Sequence, residues 1–334
     1  MKSLNKIIAT ASIFIAVIGC KNAEIIHPDF DYQTVYFANQ YPVRTIVLGE
    51  DMNFDTTLDN EKKVEIKATL GGTRYNQHNV LIDVQVNESL LEGLHFENGN
   101  KIVPMPANYY SLLSNQINIG IGDIMGGVKV QFFDAFFADP NALVNTYAIP
   151  LQMNRVMHAD SILSHKDFVF YAVKFINPWH GNYLRRGSDI MTGDISRTVT
   201  RRAQYVEHDE TNKLTTRSLT SATVPIQFRD QDAGNIFSCT LHLEFDNSGN
   251  CTISTNTPGY TATGTGKFVS KGEKNSWANR DRDALYLEYQ VAYSGISIGN
   301  APNIRTITGQ ITTKDTLVMR DRAVSPEYFN PILR

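Results

Sequence analysis

The chain has 334 residues and sets 31 basic side chains against 34 acidic ones, a formal charge of −3 with no cluster of positive charge. That balance excludes nucleic acid as a partner, because holding a phosphate backbone asks for concentrated Lys and Arg. An apolar content of 42% with 10% aromatics excludes a disordered chain, and the length is enough for two domains of ordinary size.

At the start, Lys2 and Lys6 precede an apolar run from Ile7 to Ile18 that ends in Gly19-Cys20. A charged start, a short hydrophobic stretch and a small residue before a cut make a secretory leader, and the run falls short of the roughly 20 residues of a membrane span. The cysteine directly after Gly19 resembles the lipoprotein signal of bacteria, with residues 1–19 the signal peptide and Cys20 the lipid-bearing first residue of the mature chain. The expected location is the outer membrane, at the cell surface or the periplasmic face. The lipid is the membrane contact, and residues 20–34 serve as a tether.

From residue 35 the pattern becomes period-two alternation. Val64, Ile66, Ala68 and Leu70 alternate with polar residues, and so do Val80, Ile82, Val84 and Val86. Such short segments, separated by Gly, Asn and Pro clusters, predict an all-β protein whose first domain, 35–154, is an immunoglobulin-like β-sandwich. Residues 155–166 are polar and rich in His and Ser, and are read as the linker. The second domain, 167–334, opens with a strand Phe168–Ile176 and continues as a run of hairpins, ending in Ile304–Thr312 and Thr316–Arg320 about a turn at Thr313-Lys314-Asp315. An antiparallel meander of this kind closes into a barrel or splits into a sandwich. The opening Trp179-His180-Gly181-Asn182-Tyr183 resembles the first strand of lipocalin-like barrels, which tips the reading to the barrel.

After Cys20, the remaining cysteines are Cys239 and Cys251. The turn Asn247-Ser248-Gly249 sets Phe245 opposite Cys251 and Leu243 opposite Ile253. Cys239 then lies six positions farther along its strand, on the order of 20 Å from Cys251, so two buried free thiols are expected in place of a disulfide.

Few motifs carry chemistry. Gly295-Ile296-Ser297-Ile298-Gly299 matches the hydrolase elbow in letters, but turn residues follow it and no histidine lies beyond His242, so it lacks the helix and triad partners. Gly120-Ile121-Gly122 with Gly126-Gly127 leads into a strand, leaving no helix N-terminus for a pyrophosphate. Gly264-Thr265-Gly266-Lys267 lacks the frame of a phosphate loop. His158-x-Asp160 and His165-x-Asp167 are spaced as linker residues, and Asp230 to Asn235 is rich enough in oxygen to hold calcium but equally reads as a turn. No metal or cofactor is expected. The acids Glu207, Asp209, Asp230, Asp232, Asp281, Asp283 and Asp321 show no signature that pairs two of them for glycoside hydrolysis.

Aromatic residues give the sharper signal. Trp179 and Trp277 both sit in polar, turn-like surroundings among Asn, His and Arg. An indole with nearby hydrogen-bonding groups suits the apolar face and hydroxyl rim of a sugar, although each ring could equally plug a barrel end. The mixed-sign runs Asn279-Arg280-Asp281-Arg282-Asp283 and Arg320-Asp321-Arg322 form a polar rim if they meet at one end of the barrel. The candidate ligand-binding set is Trp179, Tyr183, Arg185, Trp277, Asp281, Arg282 and Asp321.

Arg44-Thr45-Ile46-Val47-Leu48-Gly49, Tyr109-Tyr110-Ser111 and Thr146-Tyr147-Ala148-Ile149-Pro150-Leu151 resemble the N-terminal domain-of-unknown-function family 1735 of Bacteroidetes lipoproteins. The second half, from Lys174-Phe175-Ile176-Asn177 through Gly264-Thr265-Gly266-Lys267-Phe268 to Met319-Arg320-Asp321-Arg322, is similar to the companion family 5627. The resemblance implies an exported lipoprotein of a polysaccharide-uptake system, alongside an outer-membrane transporter, and brings no catalytic residues with it. The expected function is therefore non-catalytic binding of a glycan or oligosaccharide. A structural partner of the transporter complex, a glycoside hydrolase and a carrier of an apolar ligand are the alternatives.

Overall fold

A computed structural model describes residues 30–230 and 235–334. The leader, Cys20 and the tether up to residue 29 lie outside the described residues, as do the side chains of the oxygen-rich loop at 230–235.

Alternation builds the first domain. In Lys63–Gly71 every second side chain, Val64, Ile66, Ala68 and Leu70, is buried. Val128, Val130 and Phe132 do the same in Met125–Phe132, as do Val80, Ile82 and Val84 in Val80–Val86. A continuous hydrogen-bonded path carries these strands, with Gln116–Ile119, Tyr147–Met157, Phe168–Ile176 and Pro42–Val47, around one shared core. The arrangement is sandwich-like, as the alternation predicts. It is also mixed, because Phe168–Ile176 runs parallel to Pro42–Val47.

That pairing corrects the expected domain boundary. Phe168–Ile176, expected to open the second domain, lies within the first sheet, between Tyr147–Met157 and Pro42–Val47. Val169, Tyr171, Val173 and Phe175 face the main core. Phe170 and Ala172 face a smaller cluster with Val43, Leu91, Phe96 and Phe329. A strand covered on both faces reads as an unbroken apolar run, which explains why its alternation is lost. The expected linker 155–166 holds the end of Tyr147–Met157 and the pair Ser161–Ile162, which runs beside Thr34 and Val35. The crossover lies at 177–180 instead. The C-terminus also returns to the first domain: Glu327 pairs with Val43, and Ile332–Leu333 pairs with Leu94–His95. The second domain therefore ends near Arg322, short of residue 334.

The second domain is a closed meander. Its nine strands follow chain order from Gly181–Gly193 to Arg305–Asp321, apart from Arg197–Arg201, which pairs beside Gly181–Gly193. The first and last strands pair from Asn182 with Asp321 to Gly193 with Gly309, closing the barrel and removing its edges. Leu243 stands opposite Ile253 and Phe245 opposite Cys251, the expected register, and both Cys239 and Cys251 are buried free thiols. The expected turn at Thr313-Lys314-Asp315 does not form, since Arg305–Asp321 is one strand. Asp315 points into the barrel, where it accepts from Arg185 Nε at 2.9 Å and Tyr289 Oη at 2.8 Å and pairs with Arg201. Buried ion pairs thus make a polar stretch compatible with a barrel interior. Leu214, Leu241, Leu243, Leu285, Leu287, Val291 and their neighbours fill the rest of the lumen. Gly295 to Gly299 lies at the end of Arg282–Ile298 and the turn after it, with no helix following.

Candidate functional site

The barrel end nearest the first domain carries the site. Arg282–Ile298 begins there and Arg305–Asp321 ends there, and their register, Ala284 opposite Val318, brings the two mixed-sign runs side by side. The loop 50–53 of the first domain faces them. Glu50, Asp51 and Met52 on one side and Lys271, Asp281, Arg282, Asp283, Arg320 and Asp321 on the other line a cleft of about 230 Å³. A second groove of about 340 Å³ lies against the same loop and shares Asp51. Within it, Arg44 pairs with the buried Asp59, and burial pushes that carboxyl up even though it accepts from Val47 N at 2.8 Å.

Arg322 holds the two sides together. Its Nη1 donates to Glu50 O at 2.7 Å, and its Nη2 to Leu48 O at 3.0 Å and Asn177 O at 2.7 Å. Its Nε donates to His180 O at 2.8 Å. Every donor group therefore ends on a backbone carbonyl of the first domain or the crossover. Gly49 makes the approach possible: its φ is +86°, and a Cβ there would stand 2.9 Å from Pro178 Cβ. His180 accepts from Thr216 N at 3.1 Å through Nδ1. Burial, with help from Lys213, Arg322 and Lys174, lowers its pKa to about 4.

Arg282, Asp281 and Asp321 are each held in place by local bonds. The Trp277 ring lies 4.4 Å from the Arg282 guanidinium, a cation–π contact. Arg282 Nε donates to Trp277 O at 3.1 Å, and Nη1 to Arg320 O at 3.3 Å and Met52 Sδ at 2.9 Å. Burial draws this guanidinium below its ordinary range. Asp281 accepts from Asn275 N at 3.0 Å and Lys274 Nζ at 3.0 Å, and these bonds hold its carboxyl below the usual range. Asp321 accepts from Asn182 Nδ2 at 2.7 Å, Ala323 N at 2.8 Å and Arg320 Nε at 2.9 Å. Burial works to raise Asp321, and those three bonds outweigh it, leaving the carboxyl lowered. The outcome is a fixed array of donors and acceptors with an aromatic ring beside it. Among the described residues no cluster of three or more His, Cys, Asp or Glu is placed to hold a metal ion.

Of the candidate residues, Asp281, Arg282 and Asp321 share this cleft, and Trp277, half-buried, stands against Arg282. The other three do not reach it. Trp179 is 9% exposed and stacks on Phe245, with centroids 3.9 Å apart and planes 7° from parallel. It plugs the barrel end. Tyr183 is wholly buried and donates to Trp179 O at 2.8 Å. Arg185 is wholly buried, with Nη2 on Tyr289 Oη at 3.2 Å and Nη1 on Gln227 O at 3.3 Å. The inward-facing positions of the first barrel strand take Tyr183 and Arg185 into the lumen, so neither side chain offers a surface to a ligand. Sequence reasoning missed Asp51, Met52, Lys271 and the clamping role of Arg322. The polar loop after the apolar strand Pro42–Val47 is a visible signal, but its partner lies more than 200 residues on in the chain.

The comparisons with known proteins agree with this two-part organisation. Residues 178–323 match the family described as Domain of unknown function (DUF5627), and residues 30–160 match a family described as an N-terminal domain. A Bacteroides ovatus protein of unknown function is similar at 42% identity and a TM-score of 0.80, over 91% of this chain and 100% of its own. A multidomain Bacteroides ovatus protein including DUF1735 is 12% identical with a TM-score of 0.41, over 89% of this chain and 100% of its own. An auxiliary nutrient binding protein from Bacteroides thetaiotaomicron is 15% identical with a TM-score of 0.38, over 84% and 91%. Similarity at the level of these last two carries no argument. No curated protein matches.

Proposed function

Since the chain belongs to the family of the Bacteroides ovatus protein of unknown function, and its second domain matches DUF5627, we propose that it is an envelope-anchored lipoprotein that binds a glycan without cleaving it, within a polysaccharide-uptake system. The supporting observation is the cleft lined by Arg282 and the fixed carboxylates Asp281 and Asp321, with the half-buried Trp277 ring against Arg282. The ring offers a face to sugar C–H groups, and the carboxylates and backbone offer acceptors to hydroxyls. Arg322 sets the two walls at a fixed separation, which lowers the ordering cost of binding. In this reading Cys20 carries the anchor, and the first domain holds the barrel away from the membrane.

The test is affinity electrophoresis of the full chain against a panel of polysaccharides, with a parallel assay for released reducing ends. Retardation by at least one polysaccharide, lost in Trp277→Ala and kept in Tyr205→Ala, a control at an exposed ring that does not line the cleft, with no reducing ends released, is the expected result. Migration unaffected by every polysaccharide overturns the binding reading, and reducing ends released by the wild type overturn its non-catalytic part. Labelled palmitate entering the wild type but not Cys20→Ser tests the anchor.

A further inference from the structure

Resting on the glycan reading above, we infer that the sugar bound in this cleft is acidic, and that Arg282 receives its carboxylate in place of the Met52 thioether. Arg282 is 5% exposed. A buried guanidinium is ordinarily matched by a carboxylate, since an unpaired buried charge is strongly unfavourable. The other arginines are satisfied in one of two ways: Arg185 pairs with Asp315 and Glu210, Arg201 with Asp189 and Asp315, and Arg186 with Asp209, whereas the buried Arg322 places every donor group on a backbone carbonyl. Arg282 has no carboxylate partner among the described residues. Its bonds go to two carbonyls and a thioether, and its Nη2 has no partner among those residues.

The carboxylates around it are turned elsewhere. Asp281 is held by Lys274 and Asn275 N, Asp321 by Arg320, Asn182 and Ala323 N, and Asp283 accepts from Lys271 N at 2.8 Å. Arg282 is thus fixed in orientation by Trp277 O and Arg320 O with no carboxylate bonded to it, Asp283 acting on its charge only from a distance. The acceptor in front of Nη1 is Met52 Sδ at 2.9 Å, and sulfur of this kind is a weak acceptor. Met52 is 44% exposed on the 50–53 loop, so it is free to swing out. A ligand carboxylate taking its place forms charge-assisted bonds to a guanidinium already held in position. Trp277, stacked on that guanidinium, keeps water from one side of the pair.

Isothermal titration of the full chain tests this with pectic galacturonan, alginate and hyaluronan fragments, each beside the same fragment after its carboxyls have been reduced to alcohols. At least one uronate fragment is expected to bind about tenfold or more tighter than its reduced partner. Arg282→Gln is expected to abolish that difference, and Arg282→Lys to keep part of it, in variants whose melting is checked beforehand. Equal affinity for acid and reduced forms in the wild type overturns the inference. So does a failure of all uronates to bind while a neutral glycan from the electrophoresis panel does, and in that case the glycan reading stands. Binding of no glycan at all, acidic or neutral, removes both.

Discussion

Arg322 donates through Nη1 to the carbonyl of Glu50 at 2.7 Å, and that bond ties the residue after the last barrel strand to the loop that forms the opposite wall of the cleft. Its remaining donors, on Leu48, Asn177 and His180, make this side chain the point through which the two domains share one geometry.

Arg322→Met is expected to leave four carbonyls without these partners and to cost about 3–5 kcal/mol, because each buried carbonyl left unsatisfied costs about 1–3 kcal/mol. Calorimetry is expected to show the barrel and the first domain melting separately. A single transition at the wild-type temperature would contradict the clamp.

Acid should weaken the same junction through His180. Its folded pKa is about 4 against an ordinary 6.5, so between those values the unfolded chain binds a proton that the folded chain does not. Stability therefore falls as pH drops from about 6.5 to about 4, by at most about 3 kcal/mol from this group. Urea denaturation across that window checks it, and His180→Gln is expected to flatten the dependence.

The two barrel thiols should be unreactive. Burial pushes Cys239 up to about 11 and Cys251 up to about 12, so neither is thiolate at pH 8. In a Cys20→Ser chain, Ellman's reagent is expected to find no reactive thiol at that pH until denaturant is added. Rapid labelling of the native protein would show that the barrel opens.

Gly266 is a packing position. A Cβ there would stand 2.4 Å from Leu287 Cδ2 and 2.8 Å from Cys251 Sγ, inside the barrel wall. Gly266→Ala is expected to cost about 1–3 kcal/mol by overpacking, read from chemical denaturation midpoints. Leu287→Ala alone empties a core position at a cost of about 2–5 kcal/mol, and in the double variant the two losses are expected to sum to less than their separate values, since the crowded atom is gone.

Much of the second domain is legible in the sequence because a hairpin is a local object. The turn at Asn247 to Gly249 and the alternation on either side are enough to place Phe245 against Cys251. The candidate site was half legible. Asp281, Arg282 and Asp321 stand out as mixed-sign runs at strand ends, but nothing local distinguishes Trp277, beside the cleft, from Trp179, which is stacked on Phe245 66 positions away. Phe168–Ile176 misled because chain proximity suggested the second domain, whereas both of its faces are covered by residues of the first domain and the C-terminus.

The sequence by itself determined the all-β class, the meander of the second domain and the free thiols, all of which follow from side chains alternating over neighbouring residues. The tertiary structure decided where the domains divide, how the barrel closes between Asn182 and Asp321, and that Asp315 lies inside it beside Arg185. It also decided that Arg282 meets Met52, a residue 230 positions away. The physical reason is range: alternation is set by the backbone geometry of a few residues, whereas burial of a charge or a ring depends on partners that only the folded chain brings near.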